Sequence, residues 1–259
     1  MNFYHHLTMP AVTSILANKK LILPVGTIEQ HGPHLPLSVD LDLPEAISAF
    51  IAKKINALIA PPICYGARSL PQSGGGSSFP GTIAVRAEPL IGYYHSIIQS
   101  FVQHGTRELI IINGHYENEP FLFEALEQCR ENGILSTTNV IAFSWWSMVT
   151  AAFITEHFQE RFPGWHAEHA GVVETSLMMY LYPQLVKDCL VDHYTPPLAG
   201  IYVHPIDSAA ISNQGVLART SEASAAIGEI LFAHICQNII AFIANPHGMK
   251  KTDLETSYA

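Results

Sequence analysis

Short runs of apolar residues alternate along the chain with longer segments in which apolar residues recur at helical spacing. The short runs are rich in Ile, Leu and Val, which is typical of strands buried on both faces of a parallel sheet. The predicted strands are Leu21–Val25, Leu58–Ile63, Glu108–Asn113 and Asn139–Phe143. The predicted helices are Pro44–Asn56, Pro89–His104, Asn118–Glu131, Ala170–Tyr182 and Glu222–Ala244.

This alternation of strands and helices predicts an α/β fold with a mostly parallel central sheet flanked by helices. The 259 residues contain no Ser/Gly-rich linker, charge block or repeat of fixed period, so we expect a single layered domain over residues 1–259. Ligands of open parallel sheets bind beyond the carboxyl ends of the strands. Polar residues that directly follow the strands are therefore the first candidates for a functional site.

The composition excludes some classes of function. With 13 Lys and Arg against 22 Asp and Glu, the formal net charge is −9, so we expect no nucleic-acid partner. The N-terminus lacks a basic segment followed by an apolar run, and the most apolar later stretches are interrupted by polar residues before 18 positions. We therefore expect a cytoplasmic protein with no membrane partner. Only 14% of the residues are charged, which favours a homo-oligomer in which copies of the chain cover apolar surface.

Two further features are expected to contribute little chemistry. The cysteines are widely spaced and form no Cys-x-x-Cys pair, so we expect free buried thiols. They are Cys64, Cys129, Cys189 and Cys236. The glycine-rich stretch at residues 72–78 lacks the Gly-Lys-Ser/Thr ending of a nucleotide loop and is expected to place flexible backbone near a small ligand.

Two pairs of a carboxylate and an imidazole follow two of the predicted strands. Glu29 and His31 come after the first strand, and His115 and Glu117 come after the third. Residues two apart in extended backbone project to the same side, so each pair can address one point. Together with Asp40, the two pairs supply five oxygen and nitrogen ligands without a thiolate.

Ligands of this kind suit Zn²⁺ or Mn²⁺, and a shared carboxylate, for which Asp40 is the candidate, can bridge two ions about 3.5–4 Å apart. Such ions polarise a carbonyl and lower the pKa of a bound water towards about 7, so the predicted chemistry is hydrolysis. Either pair alone would equally fit hydrogen-bonded structural residues at a strand end. The joint occurrence of both pairs favours a metal site.

A third cluster, Gly164–Ser176, contains His169 near the predicted start of a helix. The field of the helix disfavours imidazolium there, which keeps the ring a proton acceptor. Glu174 lies five residues further on, so it is not expected on the same helical face. The roles of Glu168 and Glu174 stay open, because both also fit solvated or capping carboxylates.

These motifs, in this order, resemble those of the creatininase (creatinine amidohydrolase) family over nearly the whole chain. The matching segments are Leu23–Asp40, Ser73–Gly76, Phe79–Thr82, Asn113–Asn118 and Gly164–Ser176. The resemblance implies two divalent ions, typically Zn²⁺ with Mn²⁺ or a second Zn²⁺. One ion would be bound by Glu29, Asp40 and His115. The other would be bound by His31, Asp40 and Glu117, so that Glu117 matters for catalysis as well as for metal binding.

The resemblance also implies roles that position alone does not decide. It implies that His169 is the proton shuttle. Trp146 and Trp165, which position alone would place in the core, are expected around the substrate ring. Tyr116 and Ser73 are expected near the substrate. Enzymes of this family open the cyclic amide of creatinine with water, reversibly giving creatine, and are usually homohexamers.

Two alternatives stay open. After His31 the chain continues Gly-Pro-His-Leu-Pro-Leu, the form of a wider superfamily that includes deformylases and amidases of cofactor precursors, so another cyclic amide or a formamide is the second substrate class. Tyr116 and Glu117 favour creatinine, because many of those members have Gly-Gly at this point. The other alternative is a non-catalytic scaffold on the same fold, which would bind divalent metal without hydrolysing cyclic amides.

Overall fold

Four parallel strands form one sheet in the structure, a computed structural model that describes residues 3–71, 73, 76–195, 200–205 and 212–248. The strands are β1 (Lys20–Val25), β2 (Ala57–Ile59), β3 (Glu108–Asn113) and β4 (Asn139–Ser144), in the spatial order β2-β1-β3-β4. Every pairing is parallel. The predicted α/β class with a parallel sheet is therefore confirmed.

Helices connect and follow the strands. Over the described residues the α-helices are α1 (Met9–Leu16), α2 (Val39–Ile51), α3 (Ala87–Gln103), α4 (Glu119–Glu131), α5 (Ala151–His157), α6 (Val172–Leu181) and α7 (Ala225–Ala244). The sequence pattern does not predict α1 and α5. These helices span only eight and seven residues, so the helical period barely repeats in them.

The contacts between residues that lie close in space divide the chain into two compact units, each built from segments that are separated in the sequence. The first, here called the sheet unit, contains the four strands with α1, α3, α4 and nearly all of α2; its segments are Met1–Thr27, Asp40–Arg68 and Ala84–Trp145. The second, here called the helical unit, contains α5, α6 and α7; its segments are Ile28–Val39, Ser69–Ile83 and Trp146–Ala259. The expectation of one domain over residues 1–259 stays a prediction.

The core of the sheet unit packs α3 and α4 against one face of the sheet. Leu21, Leu23 and Val25 alternate along β1 and are at most 1% exposed. The helical residues in the same core recur at helical spacing and are Leu90, Tyr94 and Ile98 of α3 and Leu122, Ala125 and Cys129 of α4. Full burial of such side chains stabilises a fold by roughly 1.5–3 kcal/mol each. The register set by this core pairs Val25 with Asn113, so β1 and β3 end at the same edge of the sheet.

Proline residues account for one difference from the predicted elements. β2 ends at Ile59 instead of the predicted Ile63. After Ala60 come Pro61 and Pro62, which have no N–H to donate to a neighbouring strand, so the regular ladder stops there.

Proline also marks the second difference, at α2. The predicted start at Pro44 is wrong, because the helix begins at Val39 and carries Pro44 inside it. Val39, Leu43, Ile47 and Ile51 recur every four residues across the proline, and all are at most 1% exposed. Burial of this stripe holds the additional helical turn despite the hydrogen bond that proline removes.

The four cysteines are free, as expected, but the expectation of burial is only partly confirmed. Cys129 and Cys236 are buried, whereas Cys64 is half-buried and Cys189 is exposed. Cys189 lies between α6 and α7, outside the regular elements, and its thiol donates to the backbone carbonyl of Pro33 at 3.2 Å.

In the helical unit, α7 is the one described helix long and apolar enough, by length and composition, to cross a membrane. Its buried residues Leu231, Ile235, Ile239 and Ile243 recur every four residues, and the helix packs against α6. Ile230, on another side of the helix, is 44% exposed. A single buried stripe of this kind is typical of a helix that packs on a protein core.

This stripe yields a stability prediction with a control in the same helix. We expect Ile235→Ala to lower the free energy of unfolding by about 2–5 kcal/mol, because Ile235 is fully buried and its truncation leaves a cavity. Ile230→Ala is expected to change it by less than about 1 kcal/mol. Chemical denaturation of both variants measures the difference, and equal effects would contradict the packing described.

Candidate metal centre and active site

The ends of β1 and β3 meet the first turn of α2 within the sheet unit. Gly26 follows β1 and Gly114 follows β3, and a Cβ added to either glycine would collide with the backbone carbonyl of Asp40. In a regular helix this carbonyl would accept the N–H of residue 44, but Pro44 has none. The two glycines thus allow the start of α2 to approach both strand ends, which places Asp40 beside His115.

His115 has a carboxylate on either side of its ring. Its Nδ1 lies 2.9 Å from Oδ2 of Asp40, and its Nε2 lies 3.4 Å from Oε2 of Glu117 and 3.1 Å from the carbonyl of Ala67. Asp40 and His115 are each 3% exposed, and Glu117 is half-buried. The carboxylate oxygens and imidazole nitrogens suit a divalent cation as ligand atoms. Such a cation would offset the negative charge of the carboxylates, which is costly to bury.

Asn118 ties together the loops that carry these side chains. It is fully buried, and its Oδ1 accepts the N–H of Ala67 at 2.7 Å. Its Nδ2 donates to the carbonyl of Gly26 and to Oδ1 of Asn113, both at 3.2 Å. From the sequence, Asn118 is predicted only as the start of a helix; its place at the end of the Asn113–Asn118 motif is the signal that could have revealed this role.

In the helical unit, Glu29 and His31 are 1% and 0% exposed. The N–H of Glu29 donates to the carbonyl of Leu37 at 2.9 Å, and the hydroxyl of Ser69 donates to Oε1 of Glu29. Nδ1 of His31 lies 3.1 Å from the carbonyl oxygen of Glu29. Because a carbonyl only accepts, Nδ1 carries the ring proton and the lone pair is on Nε2. Nε2 of His31 is therefore the ring atom that could bind a metal ion, and the backbone hydrogen bond at Nδ1 fixes its orientation.

His31, His169 and Glu174 form a group in the helical unit whose ligand atoms all lie within 4.8 Å of one another. Nε2 of His31 is 3.7 Å from Oε2 of Glu174, and the two imidazole rings are 4.4 Å apart. The expectation that Glu174 and His169 do not share a face applies only within one helix. His169 precedes α6, which begins at Val172, so the loop turns it towards Glu174.

Two carboxylates cap the N-terminal end of α6. Oε1 of Glu168 accepts the N–H of Val173 at 2.8 Å, and Oε2 of Glu174 accepts the N–H of Ala170 at 2.8 Å. Ala170 adopts a left-handed conformation, with φ of 53°, in the turn between them. Burial raises the pKa of Glu168 to about 7, although its backbone hydrogen bonds act in the opposite direction. Both carboxylates thus fix the loop that carries His169.

The four residues expected near a substrate are divided between the units. Tyr116 lies in the sheet unit directly after His115 and is 42% exposed. Ser73, Trp146 and Trp165 lie in the helical unit, where Ser73 is half-buried and the two tryptophans are buried. Their contact with a substrate stays a prediction. Part of the glycine-rich stretch, Gln72, Gly74 and Gly75, lies outside the described residues.

A cavity of about 480 Å³ in the helical unit was not anticipated from the sequence. Gln30, Phe79, Asn213 and Gln214 are among its lining residues, and no described charged side chain lines it. Gln30 stands between the two predicted ligands Glu29 and His31, yet nothing in its residue type indicated a role. An uncharged amide gives no chemical signal until the fold shows its partners.

A parallel sheet that carries a buried carboxylate–imidazole pair at its strand ends is typical of a metal-binding α/β protein. A family model described as creatinine amidohydrolase matches residues 5–243, so the chain belongs to the creatininase family. Creatinine amidohydrolase of Pseudomonas putida is 41% identical over 225 residues, which cover 85% of this chain and 86% of that protein. The mycofactocin precursor peptide peptidase of Mycobacterium ulcerans (strain Agy99) is 32% identical over 245 residues, which cover 88% of each.

Three solved creatininase structures resemble the chain with a TM-score of 0.88 and cover 95% of it. A mutant of the Zn–Zn type is 37% identical and is covered over 98% of its length. The Mn form and a mutant complexed with creatine are each 36% identical and covered over 99%. The chain is accordingly an amidohydrolase of this family, a hydrolase that acts on C–N bonds and binds divalent metal ions.

The Asn118 network yields a prediction about the sheet unit alone. We expect Asn118→Ala to lower the free energy of unfolding of the metal-free protein by about 2–4 kcal/mol, because two buried backbone groups lose their side-chain partner. Asn132→Ala is the control, since Asn132 is exposed at the end of α4. Chemical denaturation compares the two variants. An Asn118→Ala effect as small as that of the control would contradict the role described.

Proposed function

We propose that this chain hydrolyses the cyclic amide of creatinine to give creatine, reversibly. The geometric observation that carries the proposal is the buried contact of Asp40 and His115, with Glu117 beside them, at the end of β3. The 41% identity to a creatinine amidohydrolase supports creatinine as the substrate, as does the similarity to a creatininase mutant complexed with creatine. A small-molecule substrate is therefore favoured over a macromolecule.

Two divalent ions are proposed to serve the reaction. Glu29, Asp40 and His115 would hold one ion, and His31, Asp40 and Glu117 would hold the other, with Asp40 shared. The chemistry of the donors supports this, because carboxylates and neutral imidazoles suit Zn²⁺ and Mn²⁺. Solved relatives of the Zn–Zn type and in a Mn form support the same metals. Either a Zn²⁺/Mn²⁺ or a Zn²⁺/Zn²⁺ pair is compatible with these relatives.

When bound, the ions activate water and polarise the amide carbonyl. His169 holds the proton that the departing ring nitrogen takes as the C–N bond breaks, and it regains one from the attacking oxygen, so that one proton moves from water to nitrogen overall. Trp146 and Trp165 present aromatic surface to the flat ring of the substrate. Tyr116 and Ser73 supply hydroxyl groups that can orient its polar edge.

A related amide is the second candidate substrate. The 32% identity to a mycofactocin precursor peptide peptidase favours it, because that relative acts on a peptide while sharing the family. Another cyclic amide or a formamide falls in the same class of reaction. A non-catalytic scaffold would instead bind divalent ions without hydrolysing any of these compounds.

The hexameric assembly is proposed from the family resemblance, and the location and partners are proposed from the composition. A homo-oligomer, and specifically a hexamer, would cover part of the apolar surface that a chain with 14% charged residues exposes. A cytoplasmic location, without membrane or nucleic-acid partners, agrees with the net charge of −9.

The substrate proposal is tested by incubating metal-reconstituted protein with creatinine and measuring creatine. We expect turnover, and we expect His169→Ala to lower kcat by about 10²–10⁴-fold, because the variant has lost its proton carrier. His104→Ala is the control, since His104 is exposed at the end of α3. Hydrolysis of a formamide or peptide amide without turnover of creatinine would favour the second candidate. Bound metal with no hydrolysis of any of them would favour the scaffold.

The metal proposal is tested at Glu117. We expect Glu117→Gln to weaken the affinity for one ion by about 10–100-fold, because an amide oxygen replaces a charged ligand, and to lower turnover severely. Metal analysis after dialysis against a graded series of chelator concentrations measures the affinity. Glu124→Gln removes the same charge from the exposed face of α4 and should leave both properties unchanged. Unchanged metal retention and turnover in Glu117→Gln would refute the ligand assignment.

A further inference from the structure

The side-chain amide of Gln30 is held in one orientation by backbone groups. Its Oε1 accepts the N–H of Gly32 at 2.9 Å, and its Nε2 donates to the carbonyl of Gly215 at 2.9 Å. The first bond requires an acceptor and the second requires a donor, so the two ends of the amide cannot be exchanged. The nitrogen of Gln30 is thereby directed at Nε2 of His169, 3.0 Å away.

This orientation decides the tautomer of His169. An amide nitrogen donates and does not accept, so Nε2 of His169 must be the acceptor in this contact. The proton of the neutral ring is then on Nδ1. The ring is also packed against the ring of His31, with centroids 4.4 Å apart, which limits its rotation.

Two glycines make this arrangement possible. Gly32 and Gly215 both have left-handed backbone, with φ of 68° and 75°, which favours glycine. A Cβ on Gly215 would collide with the amide of Gln30. Two residues beyond Gly215, the N–H of Leu217 donates to the carbonyl of His169 at 3.1 Å. One short segment therefore holds both partners of the Gln30–His169 hydrogen bond.

We propose that Gln30 is a positioning residue that fixes His169 as the neutral Nδ1–H tautomer and makes Nδ1 its proton-exchanging atom. The role of Nδ1 in proton exchange rests on the proposed function. In the reaction, the departing nitrogen takes the Nδ1 proton as the C–N bond breaks, which leaves the ring transiently as imidazolate, and the proton released by the attacking oxygen then restores the Nδ1–H. Nε2 keeps its hydrogen bond from Gln30 throughout.

The tautomer is tested directly by neutron diffraction from the deuterated, zinc-loaded protein. We expect deuterium on Nδ1 of His169, none on Nε2, and the ND₂ group of Gln30 directed at Nε2. Deuterium on Nε2 would overturn the proposal. This readout needs no turnover. If the expected tautomer is found and creatinine is not hydrolysed, the proposed function fails while the role of Gln30 in fixing the tautomer stands.

Gln30→Glu is the sharpest variant, because it keeps the size of the side chain but replaces the donor with an acceptor. We expect deuterium to appear on Nε2 of His169 and kcat for creatinine to fall by about 100-fold, with KM changed by no more than about twofold. Gln30→Met removes the hydrogen bond without adding charge, so we expect an intermediate loss of kcat and deuterium distributed over both nitrogens. Wild-type kcat and an unchanged tautomer in both variants would overturn the proposal.

Gln214→Glu is the matched control, because Gln214 lines the same cavity as Gln30 and the substitution adds the same charge. We expect it to leave the His169 tautomer unchanged. Metal content is measured for every variant, since Gln30 is adjacent in sequence to Glu29 and His31. A fall in kcat explained by metal loss alone, with the wild-type tautomer retained in Gln30→Glu, would also count against the proposal.

Discussion

Burial of carboxylates is the constraint on which the site depends. Glu29, Asp40 and Glu174 are 1%, 3% and 6% exposed, and a charged group removed from water must gain partners that compensate for its lost hydration. The protein supplies some of these partners itself: a serine hydroxyl for Glu29, the His115 ring for Asp40 and a backbone N–H for Glu174. Divalent cations would supply the largest remaining compensation, so folding and metal binding are expected to be coupled.

Backbone geometry, as much as side-chain chemistry, brings the acidic groups to these positions. In the sheet unit, Gly26 and Gly114 leave space for the carbonyl of Asp40 at the ends of two adjacent strands. In the helical unit, the left-handed Ala170 lies in the turn before α6 that brings His169 close to Glu174. A side chain at either glycine, or a regular helix through Ala170, would move a candidate functional group by more than a hydrogen bond can tolerate.

The sequence predicts those parts of the fold and site whose signal is local. β3 is predicted residue for residue as Glu108–Asn113, because a strand buried on both faces gives an uninterrupted apolar run. Pairs of acidic and imidazole residues two apart can also be recognised in the sequence, because both members lie in one short segment. The contribution of Ser69 is not visible, because its partner Glu29 is 40 residues away and a serine carries no charge. Gln30 and Asn118 were missed likewise, since most of their partners are backbone atoms that only the tertiary fold brings near.

The position of Gln30 between Glu29 and His31 bears on how relatives of one family can differ in substrate. Successive residues contact one ring: His31 packs against His169, while Gln30 donates a hydrogen bond to it. Any shift of this segment to suit another substrate would disturb His31 and His169 together. Substrate preference is therefore easier to change at residues outside this network, such as the exposed Tyr116 or Phe79 in the wall of the cavity. A creatinine amidohydrolase and a peptide peptidase are both similar to this chain, which agrees with a substrate preference that is set outside this network.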